Sequence, residues 1–239
     1  GREGPESPRP DAPIRMSFVD CMFESQSGFS TTGATVLAQV EDPDLVPRCI
    51  LFWRSSTHFL GGLGIIVLFV AVLGQGSAGK AMMRAEMPGP SKEGSQERMQ
   101  HTAWVFTAIY CGLNAALAML LKIEGSLLLA DGMSWFDAIC HAFGTMATGG
   151  FSTRDTSIGF YNSQVIEYTI TFFMILAGTN FTLLYFVLIF QPKKLLADIE
   201  WRTYITKIIS VTIAIIVIAM YYYEDFNLGK KLGPWGEFT

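Results

Sequence analysis

Residues 27–35, Ser27-Gly28-Phe29-Ser30-Thr31-Thr32-Gly33-Ala34-Thr35, and residues 145–153, Thr145-Met146-Ala147-Thr148-Gly149-Gly150-Phe151-Ser152-Thr153, are two versions of one short loop. A constant offset of 117 residues carries Thr31 onto Thr148 and Gly33 onto Gly150. The same offset carries Asp20 onto Asp137 ahead of the loop, and Gly61 onto Gly178 and Phe69 onto Phe186 behind it. In each copy a Val or Phe precedes the Asp, a short apolar stretch follows, then a Thr-x-Gly step, then a longer apolar segment with Gly about halfway along. The register holds without a gap. Internal repeats of this kind govern the reading of a whole chain.

Moving outward, four stretches have the roughly 20 largely apolar residues that a helix needs to cross a bilayer: Cys49–Leu73, Thr102–Leu121, Val165–Phe190 and Thr203–Tyr223. The last closes on Tyr221-Tyr222-Tyr223, an aromatic cluster suited to a membrane interface. Met16–Ser30 and Ser134–Ala147 are apolar but too short to span, as re-entrant helices are. Half of the 239 residues are hydrophobic and 16% are charged, against roughly 25% in an average soluble domain. Mean hydropathy is +0.35. A net charge of -4 offers no basic face for nucleic acid. Cys21, Cys49, Cys111 and Cys140 are scattered without CxxC or metal spacing, and read as small apolar helix residues. Residues 1–15, rich in proline and charge, read as a disordered leader.

Basic residues set the orientation. Lys80, Arg84, Lys92 and Arg98 follow the first span, and Lys193, Lys194, Arg202 and Lys207 surround the turn between the third and fourth. Residues 35–47 have no Lys or Arg, and residues 122–164 have only Lys122 and Arg154. The positive-inside rule places 75–101 and 191–202 in the cytoplasm, and the four spans then alternate without conflict.

Irregular backbone at membrane depth is tolerated only where it is buried in protein or lines a watery cavity. A Thr/Gly loop returning there is explained by ion coordination, with backbone carbonyls replacing the water of a dehydrated cation. Gly33 and Gly150 supply the φ freedom of the turn. Thr31, Thr32 and Thr148 add hydroxyls, and each short helix directs its negative C-terminal end at the cation.

The stretches Phe23-Glu24-Ser25-x-Ser27-Gly28-Phe29-Ser30-Thr31-Thr32-Gly33-Ala34-Thr35, Trp53-Arg54-Ser55, Gly61-Gly62-Leu63-Gly64-Ile65, Arg84-Ala85-Glu86-Met87-Pro88-Gly89-Pro90 and Thr148-Gly149-Gly150-Phe151-Ser152-Thr153 resemble the TrkH branch of the Trk/Ktr/HKT potassium transporter family. The resemblance runs from about Phe18 to the end. It implies an all-α membrane protein built of repeated helix–re-entrant pore loop–helix units of K⁺-channel-like type, four to a pore. It implies filter residues at Thr31, Thr32, Gly33, Thr148, Gly149 and Gly150, with K⁺ as the transported ion held at Thr32, Gly33, Gly149 and Gly150, and no cofactor in this chain. It also implies a cell (inner) membrane location, a homodimer, and a cytoplasmic nucleotide-binding regulatory subunit of TrkA type.

Against that pattern, residues 16–74 read as a first pore unit lacking its first helix, 75–101 as a cytoplasmic loop, and 102–190 as a complete second unit. Residues 191–239 read as the start of a truncated third unit, so the chain reads as a fragment. The function expected is potassium uptake. The alternatives are a Na⁺-permeable or weakly selective cation pore, since each loop has a single Thr-x-Gly step, and a non-conducting truncated fragment. An intramembrane enzyme is excluded on motif: no HExxH or GxSxG occurs, and the three histidines fall on separate segments.

Several residues keep two readings. Arg54 braces the filter, or pairs with an acidic residue such as Glu24 or Asp20, or snorkels to the interface. His58, one turn on, reads as a packed, hydrogen-bonded residue. Gly61, Gly62, Gly64 and Gly178 serve close helix packing or a hinge, with Gly178-Thr179-Asn180 the more hinge-like and Asn180 a gating candidate. Asp20 and Asp137 cap their short helices or, with Glu24, lend the outer mouth a negative potential.

Overall fold

The computed structural model describes residues 16–43, 46–75, 92–128 and 132–222, with side chains left aside at 66–75, 92–100 and 222. The expected leader, the centre of the expected cytoplasmic loop and residues 223–239 lie outside the described residues. Regular structure among the described residues is entirely helical: α1 (Phe18–Phe29), α2 (Arg48–Gln75), α3 (Lys92–Leu128), α4 (Trp135–Met146), a 3₁₀ turn (Ser157–Tyr161), α5 (Gln164–Ala177), α6 (Phe181–Leu188), α7 (Pro192–Ala197) and α8 (Ile199–Tyr222). They fall into two compact units that divide at Gly178.

The two short helices of the repeat, α1 and α4, begin in the same way. Ser17 and Ser134 are N-caps whose hydroxyls accept from the backbone N–H of Asp20 and Asp137. Each Asp in turn holds its serine: Asp20 takes the backbone N–H and hydroxyl of Ser17 at 2.9 and 2.8 Å, and Asp137 takes the Ser134 hydroxyl at 2.7 Å. Such caps satisfy N–H groups that open the helix without a partner. The capping expected of the two aspartates is thus shared, with serine as the cap residue and Asp three places later.

In the first unit α4 is the buried centre, packed against α2, α3 and α5, while α1 packs on α2. Ala138, Cys140 and Ala142 are wholly buried, and their small size lets neighbouring helices approach closely. Around them Tyr110, Leu117 and Leu121 of α3 and Ile166 of α5 are buried too. Tyr110 donates its hydroxyl to the Phe59 carbonyl of α2 at 3.2 Å. The second unit comprises α6, α7 and α8. Asn180 caps α6 by accepting from the Thr182 N–H at 3.0 Å, and its amide donates to Glu200 at 3.3 Å.

Two helices, His101–Leu128 and Ile199–Tyr221, are each long and apolar enough to cross a bilayer, and Gln164–Ala177 with Phe181–Leu188 qualifies as a broken third. Four boundaries differ from the sequence reading, among them that of the last span, expected from Thr203, which starts at Ile199. The helix expected at Thr102–Leu121 starts at Lys92 and runs to Leu128, because no helix breaker lies between the charged stretch and the apolar one. The span expected at Val165–Phe190 stops at Gly178, the C-cap of α5, and restarts at Phe181, with Asn180 as the N-cap of α6. A six-residue helix opened by Pro192 occupies part of the turn expected at 191–202.

The glycines of α2 do different work. A Cβ on Gly61 would lie 2.2 Å from the Phe29 carbonyl oxygen, and one on Gly62 would lie 2.6 Å from the Tyr110 hydroxyl, whereas Gly64 faces open space. Close packing is therefore the reading for Gly61 and Gly62 and not for Gly64. Gly61→Ala should cost about 1–3 kcal/mol by overpacking. Gly64→Ala should be neutral or gain up to roughly 1 kcal/mol in helix propensity. Thermal unfolding of the two variants in detergent checks the contrast.

Candidate functional site

Each Thr-x-Gly loop leaves its helix by the same backbone path. Ser30 and Ala147 close the helices in right-handed conformation. Thr31 and Thr148 then turn left-handed at φ 55° and 56°, and Gly33 and Gly150 have φ 75° and 93°. Threonine disfavours that region, since a β-branched side chain crowds the backbone there, so the loop must be held by bonds. It is. The N–H groups of Thr31, Thr32 and Gly33 donate to the carbonyls of Gly28, Ser27 and Ser27 at 3.1, 3.0 and 3.5 Å. Those of Thr148, Gly149 and Gly150 donate to Thr145, Gly144 and Gly144 at 3.0, 2.9 and 3.1 Å. The 117-residue offset thus reproduces every donor and acceptor.

The loops lie side by side. A Cβ built on Gly33 would fall 1.7 Å from the Gly149 carbonyl oxygen, so only glycine permits this contact. A cavity of about 170 Å³ is lined by Gly33, Thr35, Arg54, Gly150, Arg154 and Asp155 among others. A second, of about 310 Å³, lies along the other flank of the second loop, against Thr148, Gly149, Gly150, Ile170 and Met174.

One face of α2 supports both loops. Arg54, Thr57, His58 and Gly61 are spaced i, i+3, i+4, i+7, so they share a face. Arg54 Nε lies 3.1 Å from Glu24 Oε2, with both side chains buried, and Arg54 also donates to the Thr35 hydroxyl at 3.0 Å. Glu24 accepts from the Thr35 hydroxyl and, at 2.7 Å, from the Val36 N–H. The chain leaving the first loop is thereby tied to α1 and α2. The Arg54 guanidinium also lies 4.2 Å over the Phe151 ring of the second loop, at cation–π range.

The second loop is held from its outer side. Asp137 accepts from the Thr153 hydroxyl at 2.6 Å and from Arg154 at 3.4 Å. Arg154 also pairs with Glu41 at 3.6 Å. Two further bonds join the segments that follow the loops: the Val40 N–H donates to Asp155 at 2.7 Å, and the Asp155 N–H to Glu41 at 3.0 Å. Burial raises the Asp137 pKa, but hydrogen bonds from Thr153 and Ser134 and the charges of Arg154 and His141 outweigh it, leaving the carboxyl below its usual range. Glu24 and Asp137 are therefore each matched by an arginine. The reason is local: a buried carboxylate without a partner is too costly.

A model of the TrkH family, described as a cation transport protein, matches residues 10–224. The chain belongs to the TrkH family. It is 38% identical over 222 residues to the Trk system potassium uptake protein TrkG of Escherichia coli (strain K12), covering 92% of this chain and 42% of that protein. It is 42% identical over 170 residues to the Trk system potassium uptake protein TrkH of Halomonas elongata, covering 70% of this chain and 33% of that one. The crystal structure of the potassium transporter TrkH from Vibrio parahaemolyticus superimposes with a TM-score of 0.71 at 30% identity, over 92% of this chain and 41% of the other. The chain thus spans between a third and about two fifths of the length of these relatives. Among the described residues, its all-helical architecture with repeated pore-loop units is that of a TrkH membrane protein, and the named relatives are transport proteins rather than enzymes.

Within this TrkH chain, the six residues singled out in the loops are brought together: Thr31, Thr32 and Gly33 in one, Thr148, Gly149 and Gly150 in the other, with Arg54 beside both. Gly178 and Asn180 stand apart from them in sequence, at the break between α5 and α6. Gly178 has an ordinary right-handed φ of -79°, so the break does not depend on glycine's freedom. Sequence reasoning did not assign site roles to Ser27, Thr35 or Phe151. Ser27 donates its hydroxyl to the Ala34 carbonyl at 2.6 Å, and its counterpart Gly144 backs directly onto the Phe151 carbonyl, 2.9 Å from where a Cβ would sit. The polar stripe Arg54, Thr57, His58 on an otherwise apolar helix was the signal that could have marked this face.

Removing one partner of a buried ion pair strands the other, at about 3–5 kcal/mol. Arg54→Gln should lower stability on that scale, and adding Glu24→Gln should recover part of it; a double-mutant cycle by thermal unfolding checks the coupling. Asp137, with its depressed folded pKa, contributes stability that is present above its unfolded value of about 3.9 and is lost as pH falls through the folded value. Asp137→Asn should therefore flatten the stability profile below about pH 4, read as the midpoint of unfolding against pH.

Proposed function

We propose that this chain takes part in potassium uptake as a portion of a Trk-type transporter, with the two Thr-x-Gly loops as two sides of its ion filter. In this reading backbone carbonyls around Thr32, Gly33, Gly149 and Gly150 stand in for the hydration shell of K⁺, with Thr31 and Thr148 shaping the turn that presents them. The observation that carries it is the pairing of the loops: two turns of matching φ, 117 residues apart, in contact where Gly33 meets the Gly149 carbonyl. Nothing in the packing of two soluble turns calls for a threonine in left-handed conformation at the same place twice. The relatives' names, potassium uptake proteins, point to K⁺ as the ion.

The protein then lies in the cell (inner) membrane, with residues 75–101 and 191–202 on the cytoplasmic side as their lysines and arginines favour. Residues 16–74 and 102–190 are two pore units, and 191–239 begins a third. A homodimer and a nucleotide-binding TrkA-type regulatory subunit on the cytoplasmic face complete the assembly, and Arg54 supports the filter. Gly178 and Asn180, at the broken helix, are the places where the pathway flexes when it gates.

Flux into liposomes, with the chain reconstituted together with the remaining pore units, tests the reading. K⁺ should enter, and faster than Na⁺. Gly33→Ala forces a side chain into left-handed backbone, at about 1–2 kcal/mol, and against the Gly149 carbonyl besides. The conducting form of the loop should then be populated about tenfold less or worse, with K⁺ flux falling in proportion. Gly150→Ala meets open space, so it should lose less. Unchanged K⁺ flux in Gly33→Ala removes the filter assignment, and equal Na⁺ and K⁺ flux in the parent chain makes it a weakly selective cation pore.

A further inference from the structure

One buried side chain lies between the two loops and contacts both. His58 is fully buried. Its Nδ1 lies 2.9 Å from the Gly28 carbonyl, at the end of α1. Its Nε2 lies 3.3 Å from the backbone N–H of Phe151 in the second loop. The ring stacks on that of Phe151, with centroids 4.1 Å apart and planes 13° from parallel. It is also flush against Gly149, where an added Cβ would sit 2.2 Å from the imidazole carbon Cδ2.

We propose that His58 is a positioning residue that locks the first and second filter loops in register and so sets how sharply they separate K⁺ from Na⁺. The inference rests on the ion-passage reading above. A carbonyl can only accept and a backbone N–H can only donate, so the ring must donate from Nδ1 and accept at Nε2. One neutral tautomer does both, and it ties the residue three places before Thr31 to the residue next after Gly150. On the cavity-size account of a carbonyl filter, selectivity among cations depends on how closely facing oxygens keep their spacing. A rigid tie between adjacent loops narrows that spacing more than either loop's own hydrogen bonds can, because those bonds run back into the loop's own helix.

The tie is specific to this pair of loops. The 117-residue offset carries Arg54, Thr57 and His58 onto Thr171, Met174 and Ile175 of α5. The Ile175 side chain has no polar atom to match an imidazole, and Met174 and Ile170 line the larger cavity on the far flank of the second loop. The first loop's buried ion pair is likewise replaced, Glu24 corresponding to His141. The two copies share a backbone path but not the side chains that hold it, and His58 belongs to the first alone.

Three variants and one spectrum decide the matter, all on the full chain in nanodiscs or liposomes. The ¹⁵N spectrum of histidine-labelled chain, assigned by the signal lost in His58→Gln, should show protonated Nδ1 and bare Nε2. His58→Leu leaves the Phe151 N–H buried without an acceptor. Amide exchange over residues 148–152 should then accelerate by about tenfold or more, and the K⁺/Na⁺ flux ratio should fall by about tenfold. His58→Gln, whose amide offers one donor and one acceptor, should hold both within roughly threefold of the parent. Ile175→Leu, at the corresponding place in α5, should move neither. A protonated Nε2, or parental exchange and flux ratio in His58→Leu, overturns the lock. Faster exchange with an unaltered ratio also overturns it as a determinant of selectivity. Should His58→Leu fail to fold, the tautomer measured on the unsubstituted chain still decides whether the tie exists. A parent chain without flux even when co-reconstituted with the remaining pore units removes the ion-passage reading and, with it, the selectivity role, while exchange and tautomer report separately on the contact.

Discussion

A peptide group inside a bilayer has no water to bond, and a non-helical loop there must find every partner within the protein. The two Thr-x-Gly loops meet this constraint by turning back on their own helices. Three successive N–H groups in each donate to the last carbonyls of α1 or α4, which a helix end would otherwise leave without partners. The donors are used up on the helix side, so the loop can present other backbone atoms elsewhere. The left-handed threonine in each loop is the cost of that reversal, and its recurrence at φ 55° and 56° shows that the backbone path, more than any side chain, is what the repeat preserves.

The rest of the first unit follows from holding these turns in place. The serine and aspartate caps fix where each short helix begins, and hence where its end delivers the loop. Gly61 lets α2 close on the Phe29 carbonyl, one residue before the loop. The stripe Arg54, Thr57, His58 then reaches both loops from one helix face. Arg54 joins the first loop's exit to Glu24 and lies over Phe151 of the second. On the other side Asp137, Arg154, Glu41 and Asp155 bind the two exit segments together. Each buried carboxylate has its guanidinium, as low-dielectric surroundings demand.

The internal repeat is more exact in backbone than in chemistry. Glu24 becomes His141, Ser27 becomes Gly144, and the polar stripe of α2 becomes Thr171, Met174 and Ile175. The first loop is held by the buried Arg54–Glu24 pair and by His58; at the matching places the second has His141, Met174 and Ile175, and its own ion pair, Asp137 with Arg154, lies elsewhere. Two copies of a fold element on a single chain are free to diverge in this way, since each has its own neighbours. A symmetric assembly of identical chains is not.

Much of this was legible from residues alone, and for a definite reason. Helix length, apolar periodicity, the short re-entrant segments and the glycines of the loops are properties of a few consecutive residues, so the sequence by itself determined the helical class, the 117-residue repeat and the position of each turn. Which groups meet was decided by tertiary structure. His58 and the Phe151 amide are 93 residues apart, and Val40 and Asp155 are 115 apart. No local preference encodes such partners; they follow only once α4 is buried between its neighbours and the two loops are brought into contact. For Arg54 the sequence offered Glu24 or Asp20, and the structure chose Glu24; that Arg154 is the partner of Asp137 was decided by the fold alone.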